Sequence, residues 1–186
     1  MRFKVLIAGL ALVVLLGGGV LVALALNRAP TGGANGLYAQ PWLQPSTGDL
    51  SKDLAAAGAQ GKVLMVIWEQ AGCIYCRRLH EVNFKVADTV RLITDVFYPV
   101  QLDWRGTGLL TDFDGERAPL WTIGQRHKVG GTPIIEFHRP GEGEVFRLPG
   151  YAEPPLFHGA LQYVRDGAYK DMPIKDWFRA RLRGAG

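Results

Sequence analysis

Two cysteines, Cys73 and Cys76, are the only cysteines in this 186-residue chain, and two residues separate them. A cysteine thiolate can attack a disulfide, and a second cysteine one helical turn away can then resolve the mixed disulfide. This spacing therefore suits a dithiol that alternates with a disulfide. His80 follows on the next helical turn. Thiolates and imidazoles also bind metals, so a C-x-x-C-x-x-x-H metal cluster is the alternative.

The pair lies where a strand is expected to end and a helix to begin. Residues 63–68 form a continuous apolar run of strand length, and apolar residues recur at helical spacing after Cys76. Cys73 is thereby placed at a helix N-terminus, where unpaired backbone N–H groups and the helix dipole favour a thiolate. Thiol pKa values in such settings fall from ~8.5 to ~3.5–7.5. We therefore expect Cys73 to attack and Cys76 to resolve.

Other interpretations of the cysteines have less support. Buried structural cysteines do not need the strand–CxxC–helix order. Haem attachment requires a histidine directly after the second cysteine, where this chain has Arg77. A structural zinc site would need a fourth ligand, and the chain has no second cluster. A module that carries Cu(I) on Cys73, Cys76 and His80 stays open as an alternative, as does a non-catalytic tethered adaptor.

The first 28 residues predict a membrane anchor. Residues 5–26 carry no charged or polar side chain, and this 22-residue run exceeds the ~20 residues that cross a bilayer. A secretory signal has a shorter apolar region of ~7–15 residues, although Ala23-Leu24-Ala25 resembles a cleavage site. Arg2 and Lys4 before the run, against Arg28 after it, keep the N-terminus in the cytoplasm. We expect an exported chain that is anchored by a single pass or released by cleavage.

Charge and composition divide the rest of the chain. The net charge of +4 comes from 21 basic and 17 acidic residues, and three of the basic residues flank the apolar run. Residues 29–186 are therefore nearly neutral, which gives little support to nucleic-acid binding. Residues 29–47 are rich in Pro, Gly, Asn and Gln and predict a linker. Residues 48–172 have the size of one domain, and residues 173–186 form a C-terminal tail.

Periodicity and turn signals predict an α/β domain of the order β-α-β-α-β-β-α, preceded by one extra helix. Strands separated by helices are expected to pair in parallel, and the final hairpin adds antiparallel strands. The predicted elements are a helix capped by Asp49 (49–59), a strand (63–68), the CxxC helix (to about 84), a helix capped by Asp88, a strand (97–102), a loop (104–115), a helix (118–128), and a hairpin of strands 134–137 and 144–148 followed by a helix (154–167).

Two motifs in this order resemble the thioredoxin superfamily. Gly72-Cys73-Ile74-Tyr75-Cys76 is similar to its active-site pair, and Gly131-Thr132-Pro133 to its cis-proline segment. The resemblance implies a central mixed β-sheet flanked by helices and a redox-active Cys73–Cys76 disulfide. It also implies that the loop of Thr132 and Pro133 faces the cysteines and presents backbone groups to an extended substrate. Tyr75 would cap this site, and no cofactor is expected.

The chain is more narrowly similar to the SoxW branch, periplasmic thioredoxins associated with bacterial sulfur oxidation. The similar segments are residues 79–84, 100–103, 111–115 and 149–170. This resemblance implies a thiol–disulfide oxidoreductase that reduces disulfides of exported proteins on the periplasmic side of the inner membrane. A membrane electron donor of the CcdA or DsbD type would supply its electrons.

One departure from the thioredoxin pattern concerns the proton acceptor. Thioredoxins carry a buried carboxylate on the strand before the active site, where this chain has Val66 and Ile67. Glu69 is the nearest acidic residue and is the candidate acceptor for the proton of Cys76. His80, if it binds no metal, is expected to be a solvent-facing helix residue.

Overall fold

The computed structural model describes residues 36–184, with the last of them, Gly184, described by its backbone only. The predicted anchor, residues 1–28, and the question of its cleavage lie outside this range. Across residues 36–184, no helix is both long enough and apolar enough to cross a bilayer.

Residues 36–184 form six α-helices and six β-strands, with 3₁₀ turns at Asn83–Lys85 and Ala168–Lys170. In chain order the elements are α1 (Leu50–Ala59), β1 (Val63–Glu69), α2 (Ile74–Glu81), α3 (Ala87–Val96), β2 (Phe97–Asp103), β3 (Leu109–Thr111), β4 (Arg117–Pro119), α4 (Leu120–Arg126), β5 (Ile134–Arg139), β6 (Gly143–Pro149), α5 (Pro154–Arg165) and α6 (Ile174–Gly184).

The central sheet has the order β2-β1-β5-β6, and a separate short hairpin pairs β3 with β4. β1 and β2 are parallel, and β5 and β6 form the expected antiparallel hairpin. Helices cover both faces of this mixed sheet, so the predicted α/β architecture is confirmed. The hairpin of β3 and β4 falls partly within residues 104–115, which the sequence analysis assigns to a loop.

β5 runs antiparallel to β1, so the prediction of parallel pairing for strands separated by helices is wrong for this pair. β2 ends at Asp103, beside Glu69, and β5 begins at Ile134, opposite Trp68. The chain therefore leaves and re-enters the sheet at the same end. The helix in this connection, α4, has only seven residues and is ~10 Å long, too short to return along a strand of ~23 Å.

Two apolar layers enclose the sheet, and β1 lies between them with all seven residues buried. Its odd-numbered residues from 63 to 67 join a layer with residues of α2, α3 and α5. Its even-numbered residues from 64 to 68 join a second layer with residues of α1 and α4. This burial on both faces explains why the strand is an unbroken apolar run in the sequence. It also fixes the position at which the chain emerges into the CxxC segment.

Only some of the helices begin where the capping residues in the sequence predict. Asp49 caps α1 as predicted, because its side chain accepts from the backbone N–H groups of Ser51 and Lys52. Asp88 does not cap α3: the N-cap is Val86, and Asp88 lies in the first turn. α4 covers less than the predicted 118–128, because residues up to Pro119 pair with β3 before the helix begins.

Part of the predicted linker, residues 29–47, contacts the domain from Gly36 onward. We call residues 36–44 the N-terminal strap. Leu37 is buried, and the Trp42 ring meets the Phe84 ring edge-on with centroids 4.9 Å apart. At its end the strap joins the edge of the sheet, where the Gln44 N–H donates to the Pro99 carbonyl at 2.8 Å.

The C-terminal segment 173–186, a tail in the sequence analysis, carries helix α6. Trp177 is buried in the first apolar layer and meets the Tyr163 ring of α5 edge-on at 5.6 Å. Gly159 of α5 lies under Phe178, and a Cβ at this glycine would overlap that ring. A close approach of two helices therefore holds α6 on the domain.

Candidate active site

Cys73 and Cys76 form a disulfide at the start of α2. Cys73 is the N-cap, and its Sγ accepts from the backbone N–H of Cys76 at 3.0 Å. The predicted placement at a helix N-terminus is thus observed. Cys73 keeps 9% of its surface exposed and Cys76 only 1%, so an approaching molecule reaches Cys73 first. Gly72 allows the turn before the helix, since its φ of 74° is disfavoured for other residues.

The loop before β5 lies against this disulfide. The Thr132–Pro133 bond is cis, and the Thr132 carbonyl oxygen lies 3.4 Å from Cys73 Sγ. The Pro133 carbonyl accepts from the N–H of Gly150, which ties this loop to the end of β6. The structure therefore brings together the two motifs that are 55 residues or more apart in the sequence.

The surface beside Cys73 is apolar and aromatic. Ile74 is 70% exposed and Tyr75 is 57% exposed. The Tyr75 and Tyr151 rings stack with their centroids 6.1 Å apart. The Arg78 guanidinium lies over the Tyr151 ring, 5.0 Å from its centroid. Arg78 also pairs with Glu153 at 2.8 Å. Tyr75 therefore stands on the surface as expected, and it has neighbours from the segment after β6 that the sequence pattern did not identify.

Glu69 is fully buried at the end of β1, directly before the active-site segment. Its carboxylate contacts His80 Nε2 at 3.1 and 3.2 Å and accepts from Gln101 Nε2 at 2.5 Å. His80 is also fully buried, so the expectation of a solvent-facing residue is wrong. His80 follows Cys76 by four residues and lies on the same buried face of α2, which turns it toward β1.

The metal alternative gains no support from this geometry. In the part of the chain that the structure describes, the three side chains Cys73, Cys76 and His80 form no cluster of converging ligand atoms. The two ring nitrogens of His80 face Glu69 and Gln40 instead. The cysteines are joined to each other.

A second buried polar cluster lies on the other half of the sheet, around Glu136 of β5. Its Oε2 accepts from His127 Nδ1 at 2.9 Å and from His138 Nε2 at 3.1 Å. His127 Nε2 also donates to Asp112 at 2.9 Å, and Arg147 lies 3.1 Å from Glu136 Oε1. This cluster is not among the site residues predicted from the sequence, where its only signal is the alternation of polar and apolar residues along β5.

These contacts shift two pKa values in opposite directions. Burial opposes a charge on His127, but its hydrogen bonds to Glu136 and Asp112 and their negative charges outweigh burial and raise its pKa to about 9. Burial likewise opposes a charge on Glu136, but hydrogen bonds from the two histidines and the positive charges nearby lower its pKa to about 2. His127 and Glu136 are therefore a charged pair at neutral pH.

The cluster borders an open cavity of ≈ 680 Å³. Ligand atoms of Glu136, His138 and Glu144 lie within 4.8 Å of one another, as in a metal site. However, the Arg147 guanidinium binds both of Glu144's oxygens, at 2.6 and 2.7 Å, and also faces Glu136. This guanidinium supplies the positive charge that a metal would bring, so we assign no metal to the cluster.

Comparison with known proteins agrees with this geometry. The family model of the thioredoxin-like domain matches residues 50–165, so the chain belongs to this family. No curated protein sequence matches the chain. Among solved structures, a thioredoxin-fold protein from Helicobacter pylori is similar at 18% identity and a TM-score of 0.58, covering 72% of this chain and 96% of its own. A thioredoxin from Thermus thermophilus is similar at 25% identity and a TM-score of 0.50, covering 66% and 86%.

Membership of this family and the Cys73–Cys76 disulfide are consistent with a thiol–disulfide oxidoreductase. The predicted thioredoxin fold is confirmed. The narrower SoxW-like branch is not tested by these similarities and stays a proposal.

Proposed function

We propose that this protein reduces disulfides of other exported proteins by cycling between a dithiol and a disulfide at Cys73 and Cys76. The observation that carries this proposal is the position of the pair, at the N-terminus of α2 and beside the carbonyl of Thr132. Both cysteines are largely buried, but Cys73 keeps 9% of its surface exposed against 1% for Cys76, and this difference divides the two chemical roles. The reaction needs no cofactor.

In the proposed cycle, the reduced protein transfers two electrons to its substrate. The Cys73 thiolate attacks one sulfur of a substrate disulfide, the substrate S–S bond breaks, and one substrate thiolate leaves. The Cys76 thiolate then attacks Cys73 Sγ and breaks the mixed disulfide. The second substrate thiolate leaves and takes up a proton, and the protein is left with the Cys73–Cys76 disulfide.

The resolving step requires Cys76 to lose its proton inside the domain. Cys76 is almost fully buried, and water therefore has little access to its thiol. We assign Glu69 as the acceptor of this proton, because it is the buried carboxylate at the end of β1 and is linked to α2 through His80. A carboxylate in this position favours the thiolate of Cys76 by taking up its proton.

Substrate contacts are assigned to the surface around Cys73. An extended substrate segment can pair with the backbone of Thr132 beside Pro133, in the manner of strand addition. The rings of Tyr75 and the neighbouring Tyr151 offer aromatic area near Cys73. Tyr75→Ala should raise the KM for a protein substrate more than it lowers kcat, because the ring contacts substrate rather than the reacting sulfur atoms.

The proposed location is the periplasmic side of the inner membrane. It rests on the apolar run 5–26 with its flanking charges and on the resemblance to SoxW-like thioredoxins. In that setting a CcdA- or DsbD-type membrane protein would return electrons to the disulfide. Alkaline carbonate extraction of cells should leave the full-length chain in the membrane pellet. A shortened soluble form that begins between about residue 26 and residue 40 would show a cleaved signal instead.

Turnover is tested by insulin reduction in the presence of dithiothreitol. The wild-type protein should accelerate insulin precipitation, and Cys73→Ser should abolish this acceleration. When the reduced Cys76→Ser variant is mixed with insulin after removal of dithiothreitol, it should retain the first attack and accumulate a mixed disulfide with insulin. No acceleration by the wild-type protein at any pH near neutrality would contradict the proposal.

A further inference from the structure

The N-terminal strap, residues 36–44, reaches the buried acid of the active site. Gln40 is 9% exposed, and its Nε2 lies 3.3 Å from His80 Nδ1 and 3.4 Å from the His80 carbonyl oxygen. The Tyr38 ring lies 5.7 Å from the His80 ring, and the Tyr38 carbonyl accepts from Gln101 at 2.7 Å. The strap therefore covers the side of His80 that faces away from Glu69.

The contacts of Gln40 determine where the hydrogen of the His80 ring lies. A carbonyl oxygen can only accept, so the Gln40 atom that faces the His80 carbonyl is the amide nitrogen, which donates. The same nitrogen faces His80 Nδ1, and two donors cannot form a hydrogen bond with each other. Nδ1 therefore accepts, and the ring is neutral with its hydrogen on Nε2. That hydrogen points at Glu69.

The buried Glu69 carboxyl group is then held by two neutral donors. It accepts from the Nε2–H of His80 and from Gln101, whose two amide hydrogens go to Glu69 and to the Tyr38 carbonyl. No salt bridge to a lysine or arginine involves Glu69 in residues 36–184. Both oxygens of Glu69 therefore face the uncharged donors of His80 and Gln101.

We propose that Gln40 is a positioning residue of the redox site: it holds His80 in its neutral Nε2–H form, and His80 in turn holds Glu69 as the proton acceptor for Cys76. This inference rests on the proposed reductase cycle. The transfer moves the proton from Cys76 Sγ to a Glu69 oxygen, after which the thiolate breaks the mixed disulfide at Cys73. The strap is thereby a functional part of the domain as well as its connection to the preceding residues.

Several ionisable groups lie on the segments that pack around His80 and Glu69, and they bear on any pH dependence. Tyr38 belongs to the strap, and Cys73 and Cys76 lie at the start of α2. Asp103 is the residue of β2 that lies opposite Glu69 in the register. The test therefore compares variants that leave all of these groups in place.

The first measurement is the His80 tautomer in the full-length chain, read from nitrogen chemical shifts and long-range couplings of ¹⁵N-labelled histidine. The wild type should show hydrogen on Nε2 and none on Nδ1. Gln40→Leu removes the donor to Nδ1, and Gln40→Glu replaces it with an acceptor. In Gln40→Leu we expect Nδ1 of His80 to carry a hydrogen in part of the molecules. In Gln40→Glu we expect Nδ1 to carry a hydrogen throughout. An unchanged tautomer in both variants would overturn the proposal.

The second measurement is the rate at which Cys76 resolves a mixed disulfide between Cys73 and a small aromatic thiol. Gln40→Leu should slow this step by about tenfold near neutral pH, and the difference should vanish at high pH, where the thiol ionises without an acceptor. Gln44→Leu is the matched control, since Gln44 lies on the same strap and, among residues 36–184, its side chain donates only to the Trp42 carbonyl. It should leave both rate and tautomer unchanged.

The outcomes separate this inference from the reductase proposal. Equal resolution rates for Gln40→Leu and wild type at every pH, or a slowing that persists at high pH, would contradict the role of Gln40. A wild-type protein that resolves the mixed disulfide normally but does not reduce protein disulfides would contradict the reductase function and leave the role of Gln40 intact.

Discussion

The charged pair of His127 and Glu136 makes the stability of the oxidised protein depend on pH in a defined way. The pKa of His127 is about 9 in the folded protein, against 6.5 for an ordinary histidine. Because the pKa of His127 is raised in the folded state, its interactions stabilise the protein fully below pH 6.5, and this contribution is lost as pH rises through 9. The difference between the folded and the ordinary pKa corresponds to about 3 kcal/mol of unfolding free energy, because one pKa unit is ~1.4 kcal/mol.

Glu136 contributes with the opposite sign at low pH. Its folded pKa of about 2 lies below the ordinary value of 4.5. Its contribution is therefore present above pH 4.5 and is lost as pH falls toward 2. The two contributions describe one interaction seen from its two partners, so they are not added. Between these limits the pair should keep stability nearly constant.

The test compares urea unfolding of the oxidised wild type with that of His127→Gln at closely spaced pH values. From about pH 6.5 to above pH 9 the unfolding free energy of the wild type should fall by about 3 kcal/mol more than that of the variant. His158→Gln is the control, because within the described part of the chain His158 forms hydrogen bonds with Thr89 and Gln162 and none with a carboxylate. Parallel curves for wild type and His127→Gln across this range would refute the reasoning.

Three further substitutions test the packing by the change that they cause in the urea midpoint. Gly124→Ala should destabilise by about 1–3 kcal/mol although alanine favours helices, because the added Cβ would overlap the Trp104 ring; an unchanged midpoint would show that the ring moves aside. Trp177→Ala should cost about 3 kcal/mol by removing the ring that holds α6, and protection of α6 amides against hydrogen exchange should fall with it. Arg78→Ala should change stability by less than about 1 kcal/mol, because its pair with Glu153 is half exposed; a larger loss would show a structural role.

The sequence predicts the parts of the site that depend on neighbours along the chain. The apolar run of β1 and the helical spacing of apolar residues after Cys76 together place the pair at a helix N-terminus, because each signal is local. The role of Pro133 is a different case. Only the resemblance to thioredoxins connects that residue with the cysteines, and the structure then places the neighbouring Thr132 carbonyl beside Cys73.

The features that sequence reasoning missed depend on contacts between distant residues. His80 lies on a helix rich in polar residues, and its burial follows from its contacts with Glu69 and with the strap residue Gln40. The composition of residues 29–47 is that of a linker. It gives no sign that Gln40 meets a buried histidine, because a single glutamine carries no periodic signal.

The direction of β5 was mispredicted for a related reason. The rule for strands separated by helices assumes a helix long enough to return along the sheet, and α4 is too short for this. The cluster around Glu136 lies on the same strand. Its polar residues alternate with apolar ones, but their partners come from a loop, from the end of α4 and from β6, which only the fold brings together.

The central claim is that Cys73 attacks and Cys76 resolves, and selective alkylation tests it most directly. The fully reduced protein is treated briefly with less than one equivalent of iodoacetamide at neutral pH, and the modified cysteine is identified by peptide mass spectrometry. The position of Cys73 at the N-terminus of α2 and its greater exposure predict that the label lies on Cys73. Preferential labelling of Cys76 would contradict the assignment of roles on which the proposed cycle depends.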